Sequence, residues 1–357
     1  MPSTFGSNTF GGIFGIQKKD PNNDWMTRIS DQIMKIMKER ICPLIHLNCH
    51  PDLNCQQCIN VPQSPAILEL KSAVFKALFD ASYNNEFKNM LVKDNNIIPH
   101  LTHPLIQFAS YSQLDKKSDS QEQHNQQKSE STSSLSLITQ SIDLLDRLIS
   151  YNNICKVVIN TPNALHSLST LTCYKINIHF SQENDQLSFK IRNSSRWCLQ
   201  QIHQFGETSA QSELINARYV GVLVITISTA SGSGEEQDLE ISNGLDFISD
   251  FLSNLNKGRS DYEPSFPPQP LLARRSDEQI EEEGGNEEIE SQLIKKGDQY
   301  YYIKSQANRA KGAILNYFIE QDNRKPDCDS LFHLPSSTVY GVAIGKEKDK
   351  KTLKIWP

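Results

Sequence analysis

The sequence reads SYNNEFK from Ser82 to Lys88 and SYNNICK from Ser150 to Lys156, so five of seven residues recur 68 positions later. Between the two copies, the 22-residue segment 113–134 contains a single aliphatic residue and is predicted to be a solvated, disordered insertion. Without this insertion the copies are 46 residues apart, within the period of about 40 to 47 residues that is typical of helical repeat units. The repeated stretch therefore predicts a duplicated helical unit.

Apolar residues at helical spacing precede each copy of the repeated stretch. The spacing predicts one helix that ends near Ser82 and another that ends near Ser150, and a short helix and a longer apolar helix are predicted after each copy. Serine and asparagine hydrogen bond readily to free backbone groups at helix ends, so SYNN is interpreted as a connector between helices. The predicted apolar stripes are Leu70, Val74, Ala77, Leu78 and Ala81 before the first copy, and Ile138, Ile142, Leu145 and Ile149 before the second.

This order of helices and turns resembles the armadillo repeat, and the chain resembles helical repeat proteins of the armadillo and HEAT type. Gly284 and Gly285 stand where armadillo units place the glycines of a turn, a position that favours positive φ and a close approach of helices. The resemblance implies a mainly α fold, an armadillo-like right-handed α–α superhelix (a helical solenoid) over residues 65–320. It also implies a concave face, built mainly from third helices, that binds a peptide or helix of a partner protein.

Several segments interrupt or flank the predicted helices. Alternating apolar and polar residues on both sides of ENDQ, from Glu183 to Gln186, predict a small β-hairpin insertion at 174–191. Four prolines predict a loop at 256–270. A two-part α+β protein is the alternative to a helical superhelix. The remaining predicted segments are a flexible arm at 1–23, an N-terminal helix with a Cys-rich segment at 24–64, and a C-terminal tail at 321–357.

The stretch CPLIHLNCHPDLNCQQC, from Cys42 to Cys58, concentrates thiols and imidazoles. Such ligands hold zinc in tetrahedral sites and tie down segments that are too short to fold alone. Structural zinc sites usually show two separated ligand pairs, whereas only one C-x2-C pair is present here, so ordinary loop or core thiols are the favoured interpretation and zinc is the alternative. No cofactor is expected, apart from zinc under that alternative. The candidate zinc ligands are Cys42, Cys49, Cys55 and Cys58, and His46 and His50 offer further nitrogen ligands.

Composition and motifs narrow the class of function. A net charge of −6 excludes the broad basic field that nucleic-acid binding requires. The apolar run from Tyr219 to Ile227 is too short to span a membrane, and the N-terminus lacks the layout of a secretory signal, so a cytoplasmic or nuclear location is expected. The sequence contains no zinc-hydrolase, phosphate-loop, nucleophile-elbow or kinase motif, so no enzymatic activity is expected.

We therefore expect a non-enzymatic scaffold that binds a peptide or helix of a partner protein. The expected binding face comprises third helices at residues 97–108, 164–172 and 219–228, and the candidate partner-binding residues are His100, Gln107 and His166. One alternative is a zinc-stabilised regulatory module built on the Cys42–Cys58 stretch. Another is an enzyme without a recognisable motif.

Overall fold

A computed structural model describes residues 32–94, 97–117, 131–150, 152–176, 178–179, 181–228, 238–260, 264–294 and 302–315. This described part of the chain is mainly helical, as predicted, and contains two isolated β-bridges but no β-strand. The chain divides into two compact units, Met1–Ala164 and Leu165–Pro357. The predicted N-terminal arm at 1–23 and C-terminal tail at 321–357 lie outside the described residues.

The helices of the first unit are α1 (Pro65–Ala81), α2 (Asn85–Asp94), α3 (Ile97–Lys117), α4 (Thr132–Ile149) and α5 (Asn152–Asn160). Helix α4 packs along α1 and also contacts α3 and α5. The α1–α4 packing buries Phe75 and Leu78 on one helix and Ile142 and Leu145 on the other. Helix formation here follows from the apolar stripes, because burial of one face against a neighbour supplies most of the stability of a short helix.

The two SYNN turns contact each other in the first unit. In the first copy, Asn84 Oδ1 accepts hydrogen bonds from the amides of Glu86 (2.9 Å) and Phe87 (3.0 Å), which caps the start of α2. Lys88, the last residue of that copy, donates a hydrogen bond to Ser150 Oγ in the second copy (2.8 Å). The connector role predicted for SYNN is therefore confirmed for the first copy, and the contact joins two parts of the chain that share one sequence.

Tyr83 and Ser82 complete the first turn in different ways. The Arg147 guanidinium lies over the Tyr83 ring, 4.0 Å from its centroid, so the ring packs against α4 at this turn. Ser82 does not accept a helix-end amide; its Oγ donates to the carbonyl of Phe79 instead (2.6 Å). The hydroxyl therefore serves the C-terminus of α1, where carbonyls lack intrahelical donors.

Described helices extend into both ends of the segment predicted as an insertion at 113–134. Helix α3 continues to Lys117, and α4 begins at Thr132. Ser131 caps α4, because its Oγ accepts the amide of Ser134 (3.2 Å). Residues 118–130 lie outside the described residues.

Helix α6 (Ala164–Leu171) leads into the second unit, whose helices are α7 (Gln182–Phe205), α8 (Thr208–Asn216), α9 (Tyr219–Ile227), α10 (Asp238–Lys257), α11 (Pro270–Glu282), α12 (Gly285–Ile294) and α13 (Ile303–Leu315). Helix α10 packs along α13 and against α9. Helix α9 is buried at every position except Ile225, because its own side chains are apolar on nearly all faces of the helix. It therefore forms part of the core of this unit.

The predicted β-hairpin at 174–191 is wrong. Its described residues contain no strand, and the ENDQ stretch that was interpreted as its turn is the first turn of α7. Ser181 caps this helix by accepting the amide of Asn184 (3.3 Å), and Glu183 and Asp185 place negative charge at the positive helix end. The alternation was a coincidence of composition, and these N-terminal signals decide the structure.

The Pro-rich segment at 256–270 connects α10 to α11, and Pro270 begins α11, where a missing amide costs nothing. An antiparallel bridge between Arg259 and Phe266 closes the connection, with backbone hydrogen bonds of 2.8 and 2.9 Å. The Arg259 side chain is buried and reaches the C-terminus of α7. The predicted loop is thus anchored to the second unit through a guanidinium.

The glycine pair between α11 and α12 has the conformation that its sequence position predicts. Gly284 has a φ of +68°, a region that favours glycine. A Cβ on Gly285 would lie 2.6 Å from Ile280 Cγ2 and 2.9 Å from Val224 Cγ2. The second glycine therefore permits α12 to approach both α11 and α9 closely.

Candidate metal centre

The Cys-rich segment forms a closed loop at the start of the first unit. A π-helical turn (Met37–Ile41) and a 3₁₀ turn (Cys42–His46) lead into it. A parallel bridge between Leu47 and Ile59 then closes the loop: Ile59 donates its amide to the carbonyl of His46 (2.8 Å), and Asn48 donates to the carbonyl of Ile59 (2.9 Å). This bridge holds the thiols of the loop near one another.

Four soft ligands converge where this loop meets α3. One ligand atom from each of His46, Cys49, Cys55 and His100 lies within 4.8 Å of the other three. His46 Nδ1 lies 3.2 Å from Cys55 Sγ, and His100 Nδ1 lies 3.6 Å from Cys49 Sγ. In a tetrahedral zinc site with Zn–S of about 2.3 Å and Zn–N of about 2.0 Å, ligand atoms are roughly 3.3 to 3.8 Å apart. The two measured distances lie at or close to that range.

Both imidazoles are buried, and one of them has a ring nitrogen without a hydrogen-bond partner in the described part of the chain. His46 and His100 are each 5% exposed, and their rings meet edge to face with centroids 4.8 Å apart. Nε2 of His46 is buried and has no hydrogen-bond partner among the described residues. Neutral imidazoles and thiolates are ligands that zinc binds, and the two short nitrogen–sulfur distances suit these side chains to one ion. The residues present therefore fit a zinc ion.

The protonation states around the centre favour nitrogen ligation and oppose free thiolates. Burial, followed by the charges of His46, Lys71 and His103, lowers the pKa of His100 to about 4, so its ring is neutral at pH 7. Burial, followed by hydrogen bonds to the Cys55 and Cys58 thiols, raises the pKa of Cys49 to about 12. A divalent cation reverses the second effect, because a coordinating thiol loses its proton to the metal.

Lys71 places a buried ammonium beside the thiols. Its Nζ donates to the carbonyl of Leu47 (2.9 Å), which fixes the loop to α1. The pKa of Lys71 is lowered, because the effect of burial outweighs the opposite effect of the nearby cysteines. An ammonium at this position would partly offset the negative charge of thiolate ligands without binding the metal itself. Its hydrogen bond to Leu47 also helps to position the loop that carries the thiols.

The structure brings together two of the four cysteines predicted as zinc ligands. Cys49 and Cys55 belong to the converging set, whereas Cys42 is buried on the preceding 3₁₀ turn and lies outside that set. Cys58 also lies outside it: its Sγ accepts the amide of Cys49 (3.2 Å) and donates to Asn60 Oδ1 (3.3 Å). The C-x2-C pair therefore divides between one ligand position and one neighbouring thiol.

The fourth ligand, His100, belongs to a helix that the sequence analysis assigned to partner binding. It is buried and faces Cys49. Gln107, on the same helix, is half-buried and lines a cleft, and His166 is exposed on α6. Local spacing gave no signal for His100 as a ligand, because 45 residues separate it from Cys55 and only the packing of the first unit brings them together.

A cleft of ≈ 460 Å³ opens beside the candidate metal ligands in the first unit. Cys49 and His100 form part of its wall, and apolar side chains from the loop, α1 and α3 form much of the rest. Apolar clefts with a few convergent polar groups are typical of binding sites. The cleft lining is completed by Leu47, Asn48, His50, Pro51, Leu53, Asn60, Val61, Gln63, Ile67, Leu68, Lys71, His103, Pro104, Gln107 and Leu137.

Comparison with known proteins does not assign a family to this chain. No protein-family model matches it, and no curated protein matches it. Within the described residues, no helix combines the length and the apolar character needed to cross a bilayer.

Proposed function

We propose that a zinc ion held by His46, Cys49, Cys55 and His100 stabilises the first unit of a non-enzymatic helical scaffold for a protein partner. The observation that carries this proposal is the convergence of two thiols and two buried imidazoles from distant parts of the chain. Four protein ligands fill a tetrahedral zinc shell and leave no open position, which is the arrangement of structural zinc sites. Such a centre supports folding and not catalysis.

The proposed ion would supply most of the order of the Cys-rich segment. It would join the 3₁₀ turn through His46, the closed loop through two thiolates, and α3 through His100. The binding energy of a structural zinc becomes folding energy, because the ligands do not converge in the unfolded chain. The seven described cysteines form no disulfide with one another, and a reducing compartment such as the cytosol or nucleus keeps thiols available for metal.

Cobalt substitution tests the proposed centre directly. We expect the purified chain to bind Co²⁺ with a thiolate-to-cobalt charge-transfer absorption that added Zn²⁺ abolishes. Cys55→Ser should remove the absorption and Cys58→Ser should retain it, because Cys55 belongs to the converging set and Cys58 does not. Cys173→Ser, in the second unit, is the control for general effects of thiol loss. Retention of the absorption in Cys55→Ser, or its absence from the wild type, would contradict the proposal.

The scaffold part of the proposal is supported by the order of the helices. A long first helix, a shorter second helix and a third helix follow one another four times, as α1–α2–α3, α4–α5–α6, α7–α8–α9 and α10–α11–α12. Contacts between equivalent helices support stacking of the units within each half: α1 packs on α4, α8 on α11, α9 on α12 and α10 on α13. An armadillo-like superhelix that presents an extended binding face is consistent with this order.

One of the three helices expected to form the binding face is buried in the second unit. Helix α9 is almost wholly buried, so the stretch 219–228 offers little surface to a partner. On α3, His103, Gln107 and Tyr111 follow at intervals of four residues and remain at least partly accessible. His103 and Gln107 line the cleft, and Tyr111 is 66% exposed. We therefore propose this stripe of α3 as the partner-binding surface of the first unit.

Peptide selection tests the proposed surface. Peptides selected from a displayed library against the whole chain should bind through α3, and Gln107→Ala together with Tyr111→Ala should weaken that binding by roughly tenfold or more, the usual size of an interface hot spot. Tyr83→Ala is the matched control, because Tyr83 is equally exposed (63%) but lies at the α1–α2 turn. Selected peptides that bind both variants equally would place the partner surface elsewhere.

A further inference from the structure

A second group of ligand atoms lies on the solvent side of the first. One ligand atom from each of His50, Asp52 and His103 lies within 4.8 Å of the other two. The imidazole rings of His50 and His103 are stacked, with centroids 4.3 Å apart and planes at 30°. His50 Nδ1 lies 3.2 Å from Asp52 Oδ2 and accepts the Asp52 amide at 3.3 Å. No thiol belongs to this group.

The same two chain segments build both groups. His50 follows Cys49 directly in the closed loop, and His103 follows His100 by one helical turn on α3, where residues three apart share a face. The carboxylate comes from the 3₁₀ turn Pro51–Leu53, whose proline restricts the backbone beside Asp52. The second group is therefore positioned by rigid backbone on both sides, although its side chains reach solvent.

We propose that His50, Asp52 and His103 form a second, open site for a first-row divalent metal ion at the mouth of the cleft in the first unit. This site shares no ligand with the proposed structural zinc centre.

The ligand set points to the class of metal. Two imidazoles and a carboxylate suit zinc and other first-row ions, whereas calcium and magnesium prefer oxygen ligands alone. Three protein ligands leave at least one coordination position open, in contrast to the four-ligand centre. His50 and His103 both line the cleft, so the proposed ion would lie beside it. Water or an oxygen donor of a molecule in the cleft completes the shell.

Metal titration with variants tests the second site. We expect the whole chain, freed of metal, to bind two equivalents of Co²⁺, of which only one contributes thiolate charge-transfer absorption. Asp52→Asn and His103→Asn should each weaken the other equivalent by at least tenfold and leave the charge-transfer absorption unchanged. Asp52 is exposed, so its isosteric replacement leaves the fold intact. Asp80→Asn is the matched control, because Asp80 is an exposed acid on α1 that belongs to neither group.

The outcomes separate this site from the structural centre. Binding of a single equivalent that carries the charge-transfer absorption overturns the second site and leaves the first. Binding of a second equivalent that persists at full affinity in both Asp52→Asn and His103→Asn also overturns it. The wild type could instead bind one equivalent of Co²⁺ without any charge-transfer absorption. If that binding depends on Asp52, the result supports the second site and contradicts the first.

Discussion

Replacement of Arg259 by alanine should destabilise the second unit by about 3 kcal/mol. Arg259 is 4% exposed and binds four carbonyl groups: Nε donates to Pro264 (2.7 Å), one terminal nitrogen to His203 (2.8 Å) and Gln204 (2.9 Å), and the other to Gly206 (2.6 Å). Three of these carbonyls belong to the C-terminal end of α7, where intrahelical donors run out. The guanidinium therefore caps that helix from the Pro-rich loop.

The expected magnitude follows from which carbonyls keep a donor. Gln211 Nε2 also donates to the carbonyls of His203 (3.1 Å) and Gly206 (3.2 Å), so these two stay paired in Arg259→Ala. The other two lose the arginine as donor, and an unsatisfied buried acceptor costs about 1 to 3 kcal/mol. Two such acceptors cost about 2 to 6 kcal/mol, and partial access of water to the truncated site keeps the total at about 3 kcal/mol. This total includes the lost packing of the guanidinium against the Phe266 ring, 4.6 Å away.

Urea denaturation followed by far-ultraviolet circular dichroism measures the free energy of unfolding. In thermal unfolding of a unit of this size, a loss of about 3 kcal/mol corresponds to a fall in Tm of roughly 6 to 12 °C. Arg259→Lys should recover only part of the loss, because one ammonium cannot span four carbonyls. Arg275→Ala is the control: this exposed arginine donates to Asn216 (3.0 Å), and its loss should cost at most about 0.5 kcal/mol. Equal stability of Arg259→Ala and Arg275→Ala would refute the capping argument.

Three further measurements address other parts of the chain. Gly285→Val should destabilise the second unit by at least about 2 kcal/mol in thermal unfolding, because its Cβ overlaps two side chains; Gly284→Ala, strained only by its φ of +68°, should cost about 1 kcal/mol. Burial, followed by the charge of Asp143, raises the pKa of Asp146 from its usual 3.8 to about 7. Its contribution to stability is thus complete below pH 4 and lost as the pH rises through 7, so the wild type should lose roughly 2 to 3 kcal/mol relative to Asp146→Asn between pH 5 and pH 8; parallel pH curves would contradict this. A chelator should expose the Cys-rich loop to limited proteolysis before α1 or α4 is cut, and added zinc should restore protection.

The sequence predicts the helical fold well where a local signal and tertiary packing agree. The stripes before Ser82 and Ser150 become the packed helices α1 and α4, and the pair Gly284–Gly285 becomes a turn with a close helix approach. The β-hairpin prediction for residues 174–191 is wrong because two local signals compete there. The alternation of apolar and polar residues favoured strands, but the Ser181 cap and the acidic first turn of α7 act on the helix end directly and prevail.

The candidate metal centre is predictable only in its local part. Cys49 and Cys55 follow from the concentration of cysteines in the loop, because residues close in sequence meet in any compact turn. His100 and Asp52 could not be assigned by spacing. His100 reaches the thiols through the packing of α3 on the loop, and the same packing brings Asp52 of the loop near His103 of α3. Ligands contributed by tertiary packing leave no periodic signal in the chain.

Metal binding and the shape of the cleft are linked through α3. The loop that carries the thiols consists of short 3₁₀ turns with positive φ at Asn48 and Asn54, and its own core is small, so it needs an external tie to stay ordered. His100 makes that tie to α3, and His103 and Gln107, the next turns of the same helix, line the cleft. In the proposed centre, a zinc ion bound to His100 would hold the loop and α3, which both line the cleft. An ion at the proposed second site would then bind to a surface that the first ion had already ordered, and the conformational entropy lost on that binding would be smaller.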